Sequence, residues 1–367
     1  MSVPIPTTRP AARTASCPNR PVRSRSARPR GLTTVVIAGL VAGTTLLGTT
    51  ATLAQEVTLR LAHVLRDGDP AHLVAETFKQ EVESRSEGRI AIKIFPAAQL
   101  GNNRKLFTQI QSGAIDMSFT PYNLLSEIEP ALNVTAAGYL FDEWADLQAV
   151  LDAPELGAAW RQTLIERGGL RILSPFFYGT RNLTTTDFAV RRPEDLAGKK
   201  IRAVPNPMSL ANVTGLGAAP TPVAWPETYQ ALRQGTVDGQ ENPIPVLYAA
   251  KFYEVQQYLT RTDHQMSVLP VLVREASYQK LPEADRTLIE AAARVAAEAG
   301  TEAMVRFTRE LEADLSDKGM TLIELTDEER AAFKASVQAV LMDQVDGEAV
   351  PAGLIATVRD VVAARDR

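Results

Sequence analysis

Cysteine is nearly absent: Cys17 is the one thiol in 367 residues, and it precedes an apolar stretch, on the wrong side for a lipid-bearing cysteine. Beyond it the chain has no residue for a disulfide, a thiolate metal site or a cysteine nucleophile. A mature chain of 313 residues buries an adequate core without such staples. Histidine is almost as scarce. His63, His72 and His264 are scattered, without metal-ligand spacing. No nucleophile stands beside a base, and no glycine-rich loop is placed to cradle a phosphate. The expectation is a protein without metal, cofactor or catalysis. Acidic residues are missing from positions 1–54, which carry seven arginines (9, 13, 20, 23, 25, 28 and 30) and then the apolar run Leu32 to Leu53.

Thr52 and Ala54 put small residues at −3 and −1 of a cut after Ala54. Basic region, apolar core and small-x-small site predict a secretory signal over 1–54, removed on delivery to the periplasm by the general export route. The alternative is a membrane anchor, since about 22 apolar residues can cross a bilayer. The Gly and Thr content and the cut site favour cleavage, leaving no permanent membrane anchor. No Arg-Arg pair precedes the apolar core, against the twin-arginine route. The basic region is long for a signal, which leaves the true start codon open. Without the leader, 32 basic residues face 43 acidic ones, a net charge near −11 that argues against nucleic acid as a partner.

The rest reads as alternating strands and helices, with no internal repeat. Val57 to Val64, Ile90 to Ile94 and Ile115 to Phe119 predict strands. Asp69-Pro70 opens a helix, and Asn102-Asn103 leads into another that ends near Gly113. After Gly168-Gly169, strands are expected at Leu170 to Phe176, Lys200 to Val204 and Gln265 to Val273, with a polar edge at 179–182. Ser209 to Gly215 and Pro226 to Arg233 predict helices, as do Asp327 to Met342 and Ile355 to Ala364. Pro282 to about Lys318 reads as one helix of roughly 50 Å, with Leu288, Val295, Ala299, Phe307, Leu311 and Leu315 as its apolar stripe. A β-α-β rhythm with so long a helix predicts an α/β fold.

The most informative stretch is V-D-G-Q-E-N-P-I-P-V-L-Y-A-A-K-F-Y-E-V-Q-Q-Y-L, Val237 to Leu259. Gln240 and Asn242 precede a turn at Asn242-Pro243, which reads as exposed amides at an element boundary, suited to holding a ligand. With G-K-K-I-R at 198–202, N-P at 206–207 and P-T-P-V-A-W-P-E-T-Y-Q-A-L at 220–232, this stretch resembles the DctP family, the periplasmic solute-binding proteins of TRAP transporters. The likeness spans roughly residues 57 to 330, with several motifs in the family's order. It implies a two-lobed, periplasmic-binding-protein-like fold of type II character, its lobes joined by hinge strands and braced by the long helix. The expected division is residues 55–178 plus about 266–300 in lobe I, and 179–265 plus about 301–367 in lobe II.

The resemblance also assigns site residues. Arg202, in G-K-K-I-R, matches the arginine that makes a salt bridge to the ligand carboxylate, a task its planar fork suits. Arg181, Asn206 and Asn242 match further polar positions, and Trp225 an aromatic wall. Asn102, Asn103, Tyr122 and His63 are candidates from the first lobe. Some relatives carry acidic residues near Asn102 and Pro121, so the Asn and Pro here point away from a sialic-acid-type ligand. The ligand classes that fit are C4-dicarboxylates and sugar acids, delivered to TRAP permease subunits. A receptor for a membrane kinase would use the same cleft. A secreted enzyme on this scaffold would have to rely on Asp238 and Glu241, more simply a cap and a lobe-surface charge. ABC-type import does not match the motifs.

Overall fold

The computed structural model describes residues 57–365, so the predicted leader and its cut after Ala54 lie outside the described residues. Among the described residues, no helix is long and apolar enough to cross a membrane. Nine strands form one mixed sheet: β1 (Val57–Ala62), β2 (Ile90–Phe95), β3 (Met117–Ser118), β4 (Leu170–Thr185), β5 (Lys200–Ala203), β6 (Ala219–Pro222), β7 (Gly239–Asn242), β8 (Tyr258–Arg274) and β9 (Thr321–Ile323). Their order is β2-β1-β3-β8-β4-β7-β5-β6, with β9 beside β8.

Two long antiparallel strands, β4 and β8, carry a smaller sheet at each end. At one end β3 pairs with Leu272 and Val273 of β8 and leads to parallel β1 and β2. At the other, β7 pairs with Asn182 to Thr185 of β4 and leads to parallel β5 and β6. This is the two-lobed α/β arrangement with joining strands.

The joining strands run longer than local patterning predicts. β4 passes through the Gly179–Asn182 edge as a strand of 16 residues, and β8 begins at Tyr258. Register shifts between Phe177 and Thr180, and again between Arg181 and Leu183, let β4 bend without breaking. Gly179 sits at the first shift with φ 90°, where a Cβ would lie 2.6 Å from Pro243. Only glycine meets both demands.

Helix α1 (Pro70–Arg85) starts where Asp69 Oδ1 accepts from the Ala71 N–H at 2.8 Å, and it buries Val74, Phe78 and Val82. In chain order follow α2 (Asn103–Ser112), α3 (Tyr122–Leu125), α4 (Trp144–Asp152), α5 (Ala159–Gly168), α6 (Pro207–Gly215), α7 (Thr228–Arg233), α8 (Ile244–Ala249), α9 (Glu275–Tyr278), α10 (Glu283–Asp317), α11 (Asp327–Gln344) and α12 (Leu354–Arg365). α10 has 35 residues, about 52 Å, and packs on α1, β4 and α8, so it touches elements at both ends of the sheet.

Its buried face differs from the expected stripe. Ile289, Ala292, Ala293, Ala296, Gly300, Ala303 and Met304 are buried, as is Leu315 of the expected stripe, while Leu288, Val295, Ala299, Phe307 and Leu311 lie half-buried at the margin. Small residues face inward because α1 passes close: a Cβ on Gly300 would fall 2.1 Å from Val74. The larger side chains are displaced to the flanks.

Candidate functional site

Where the long strands shift register, a cavity of about 330 Å³ opens between the two halves of the sheet. That is the size of a small-molecule pocket. One wall comes from the β1–α1 connection, the start of α2 and the β3–α3 connection, which bring His63, Asn102, Asn103 and Tyr122 to it. The facing wall brings Arg181 from β4, Arg202 from β5, Trp225 and Asn242. Strand β8 supplies Gln265 to Leu269. Eight of the nine residues singled out by motif line this one space.

Asn206 does not. Its Oδ1 caps α6 by accepting from the Met208 and Ser209 N–H groups, and its Nδ2 donates to the Asn123 carbonyl at 2.7 Å and to Asn133 Oδ1 at 2.9 Å. All its capacity is spent on joining three segments.

Three arginines line the cavity, and their partners set its charge. Arg104, largely exposed, pairs with Glu127. Arg181 is buried; its Nε and Nη2 both donate to the Glu241 carboxylate, and Nη1 lies 3.4 Å from Ser267 Oγ. Glu241 is therefore no surface charge. His264 Nε2, 3.3 Å away, completes a sealed cluster with it, and Thr262 Oγ1 meets His264 Nδ1 at 2.8 Å. Burial raises the pKa of Glu241, but the Arg181 charge and the hydrogen bonds from His264 and Arg181 outweigh it and hold the carboxyl well below its ordinary range.

Arg202 has no such match. It is 2% exposed, its Nε donates to the Val223 carbonyl at 2.9 Å, and no carboxylate lies within ion-pair distance among the described residues. Burial lowers it to about 10, which leaves it a cation at neutral pH. Trp225 stands 5.9 Å from its guanidinium carbon, an apolar plate that excludes water beside the charge. The Nη groups have no partner among the described residues, yet are not among the unpartnered atoms sealed from solvent. In so buried a residue, the solvent they meet is that of the cavity. His63 adds no charge: burial first, and His72 second, lower it to about 3.

Asn242 is buried, not exposed as its N-P turn suggested, because β7 pairs with β4 on one side and β5 on the other. Its polarity comes from a relay. Thr186 Oγ1 donates to the Asp238 carbonyl, so it accepts from Gln256 Nε2, which also donates to the Val255 carbonyl. Gln256 Oε1 then accepts from Thr184 Oγ1, which accepts from Gln240 Nε2. Gln240 Oε1 accepts from Asn242 Nδ2 at 2.5 Å. Asn242 keeps its Oδ1, an acceptor, and the second hydrogen of its Nδ2 unspent at the cavity.

A largely apolar cleft whose lining holds, among the described residues, one cation outside any ion pair, together with oriented amides, suits an acid. The model of a bacterial family of extracellular solute-binding proteins, family 7 (DctP), matches residues 61–347. The chain belongs to the DctP family.

Solute-binding protein RD1_1052 of Roseobacter denitrificans is 34% identical over 318 residues, 86% of this chain and 96% of that relative. Its crystal structure, with bound L-galactonate, has TM-score 0.76 and 31% identity, covering 85% of this chain and 99% of that one. The 2,3-diketo-L-gulonate-binding periplasmic protein YiaO of Escherichia coli is 33% identical over 262 residues, 71% of this chain and 79% of that relative. DctP proteins are solute-binding proteins, not enzymes, and such relatives bind small organic acids.

On the first-lobe side Tyr178 donates to Asp69 Oδ2 at 2.7 Å, and burial raises Asp69 to about 6 despite that bond. A folded pKa above the ordinary 3.8 gives stability that is complete below 3.8 and lost as pH rises through about 6. Asp69→Asn keeps the helix cap and is expected to remove this component, read as a smaller rise of the unfolding midpoint than wild type between pH 7 and pH 4. An equal rise in both would assign the dependence to another group.

Proposed function

We propose that this DctP protein is the periplasmic receptor of a TRAP transporter and that its solute is a hydroxylated monocarboxylic acid of the sugar-acid class. After export and cleavage near Ala54, the two lobes, divided about as the family resemblance implies, close over the acid by hinge bending. The closed form is presented to the membrane permease. Arg202 holds the carboxylate through its free Nη groups. The observation that carries this reading is the charge count: Glu241 pairs with Arg181 and Glu127 with Arg104, so among the described residues the cavity offers one unpaired cation. A C4-dicarboxylate would bury a second charge without a partner, at a cost of several kcal/mol. The Asn242 amide supports the same reading, because its unspent Oδ1 can accept from a hydroxyl of a sugar acid.

Thermal unfolding of residues 55–367 tests the proposal against L-galactonate, L-fuconate, glucuronate and succinate, with neutral sugars as controls. A sugar acid at 100-fold its Kd is expected to raise the midpoint by roughly 5 °C. No shift with any acid overturns the reading. Asn242→Ala is expected to weaken a bound sugar acid about three- to tenfold, the value of a neutral hydrogen bond. Unchanged affinity in a calorimetric titration would leave Asn242 with the relay alone.

A further inference from the structure

Gln265 faces Arg181 across the β4–β8 ladder and lines the cavity. Its Oε1 accepts from Asn212 Nδ2 at 2.8 Å. Asn212, on α6 and outside the cavity lining, is held by two peptide groups. The Gly138 N–H donates to its Oδ1 at 3.0 Å, and its Nδ2 also donates to the Ala136 carbonyl at 2.8 Å. Reversing the Asn212 amide would set carbonyl against carbonyl and N–H against N–H. Backbone therefore fixes Asn212, and Asn212 fixes Gln265.

With its carbonyl turned to Asn212, Gln265 has its Nε2 left over. That nitrogen has no partner among the described residues, yet is not one of the unpartnered atoms sealed from solvent, which are Gln109 Oε1, Asn123 Oδ1 and Arg261 Nε. Gln265 is 8% exposed, so the solvent reaching Nε2 is the cavity's. A donor wet in the empty cavity and dried by an incoming solute must then find an acceptor, or the solute loses affinity.

We propose that Gln265 contacts the solute, its Nε2 donating to an oxygen of the bound acid, and that Asn212 is the positioning residue that fixes this polarity. The inference rests on reading the cavity as an acid site. Gln265 thereby adds a donor of fixed direction to a cavity where the Asn242 Oδ1 is open to a hydroxyl.

The test is calorimetric titration of wild type, Gln265→Met and Gln265→Glu with L-galactonate and L-fuconate. Gln265→Met removes the donor at nearly constant volume and is expected to lose about 10- to 100-fold in affinity, the range for a hydrogen bond to a charged group. Gln265→Glu keeps the acceptor for Asn212, so the fold is retained, but turns an oxygen toward the acid and should lose at least as much. Asn212→Ala should weaken wild type yet add little in the Gln265→Met background; additive losses would overturn the positioning role. Undiminished binding by Gln265→Met, in a protein whose wild type binds either acid, overturns the inference alone. If wild type binds neither these acids nor any in the wider panel, the acid-site reading falls and the inference with it.

Discussion

Arg202→Met is expected to abolish sugar-acid binding at ordinary concentrations while leaving the empty protein at least as stable as wild type. Removing one partner of a buried ion pair costs about 2–5 kcal/mol, or roughly 30- to 4,000-fold in Kd. In the empty protein the balance differs. The residue is 2% exposed, and its guanidinium has one protein hydrogen bond among the described residues, from Nε to the Val223 carbonyl. Its charge is desolvated with no carboxylate in ion-pair contact, Glu241 and Glu227 acting on it only from farther off, an arrangement kept for binding at the expense of stability. Methionine fills similar volume without that cost. Calorimetric titration and thermal unfolding together read the two halves of the result. A variant that binds as wild type removes Arg202 as the anchor; one that does not fold shows that the residue is structural.

The second large effect is expected at Glu241. Glu241→Gln keeps the shape of the side chain but leaves Arg181 buried without its counter-charge, and a loss of about 3–5 kcal/mol follows. For a chain of this size that is roughly 5–8 °C in the unfolding midpoint. The depressed pKa of Glu241 gives the same sign by another route. Its stabilisation is present above the ordinary carboxylate range and is lost as pH falls below it, so the variant should show a flatter acid limb. The substitution also changes recognition. With two uncompensated cations facing the cavity, the ratio of succinate to L-galactonate affinity should rise relative to wild type. An unchanged midpoint with an unchanged ratio would mean that the Arg181–Glu241 pair sets neither stability nor charge selection.

Much of this molecule is legible along the chain because the signals are local. Asp69-Pro70 opens α1, Gly113 ends α2 in the left-handed conformation, and alternating isoleucines mark β2. The G-K-K-I-R motif leads to Arg202 through the family resemblance, and the residue lines the cavity because β5 ends there. What escaped depends on partners far apart in sequence. Glu241 reads as a surface charge beside a turn until β4 brings Arg181, 60 residues away, against it. The amides of Q-E-N-P look exposed until β7 is seen between two strands. Asn206 resembles a solute contact, but its Oδ1 caps α6 and its Nδ2 is taken by Asn123 and Asn133, more than 70 residues away. Gln265 carries no motif; its role comes from Asn212, 53 residues away, and the peptide groups around Gly138. In α10 the error is of another kind: large apolar residues suggested the buried face, whereas close helix packing selects small ones.

Among the described residues the cavity has a single positive charge outside an ion pair, and the most direct test of its role is a calorimetric comparison of L-galactonate with succinate on residues 55–367 at neutral pH. The predicted result is saturable binding of the hydroxylated monoacid and at least tenfold weaker binding of the dicarboxylate, a difference of about 1.4 kcal/mol or more. Succinate binding as tightly as L-galactonate, or more tightly, would contradict the charge count and make Arg181 a second carboxylate anchor.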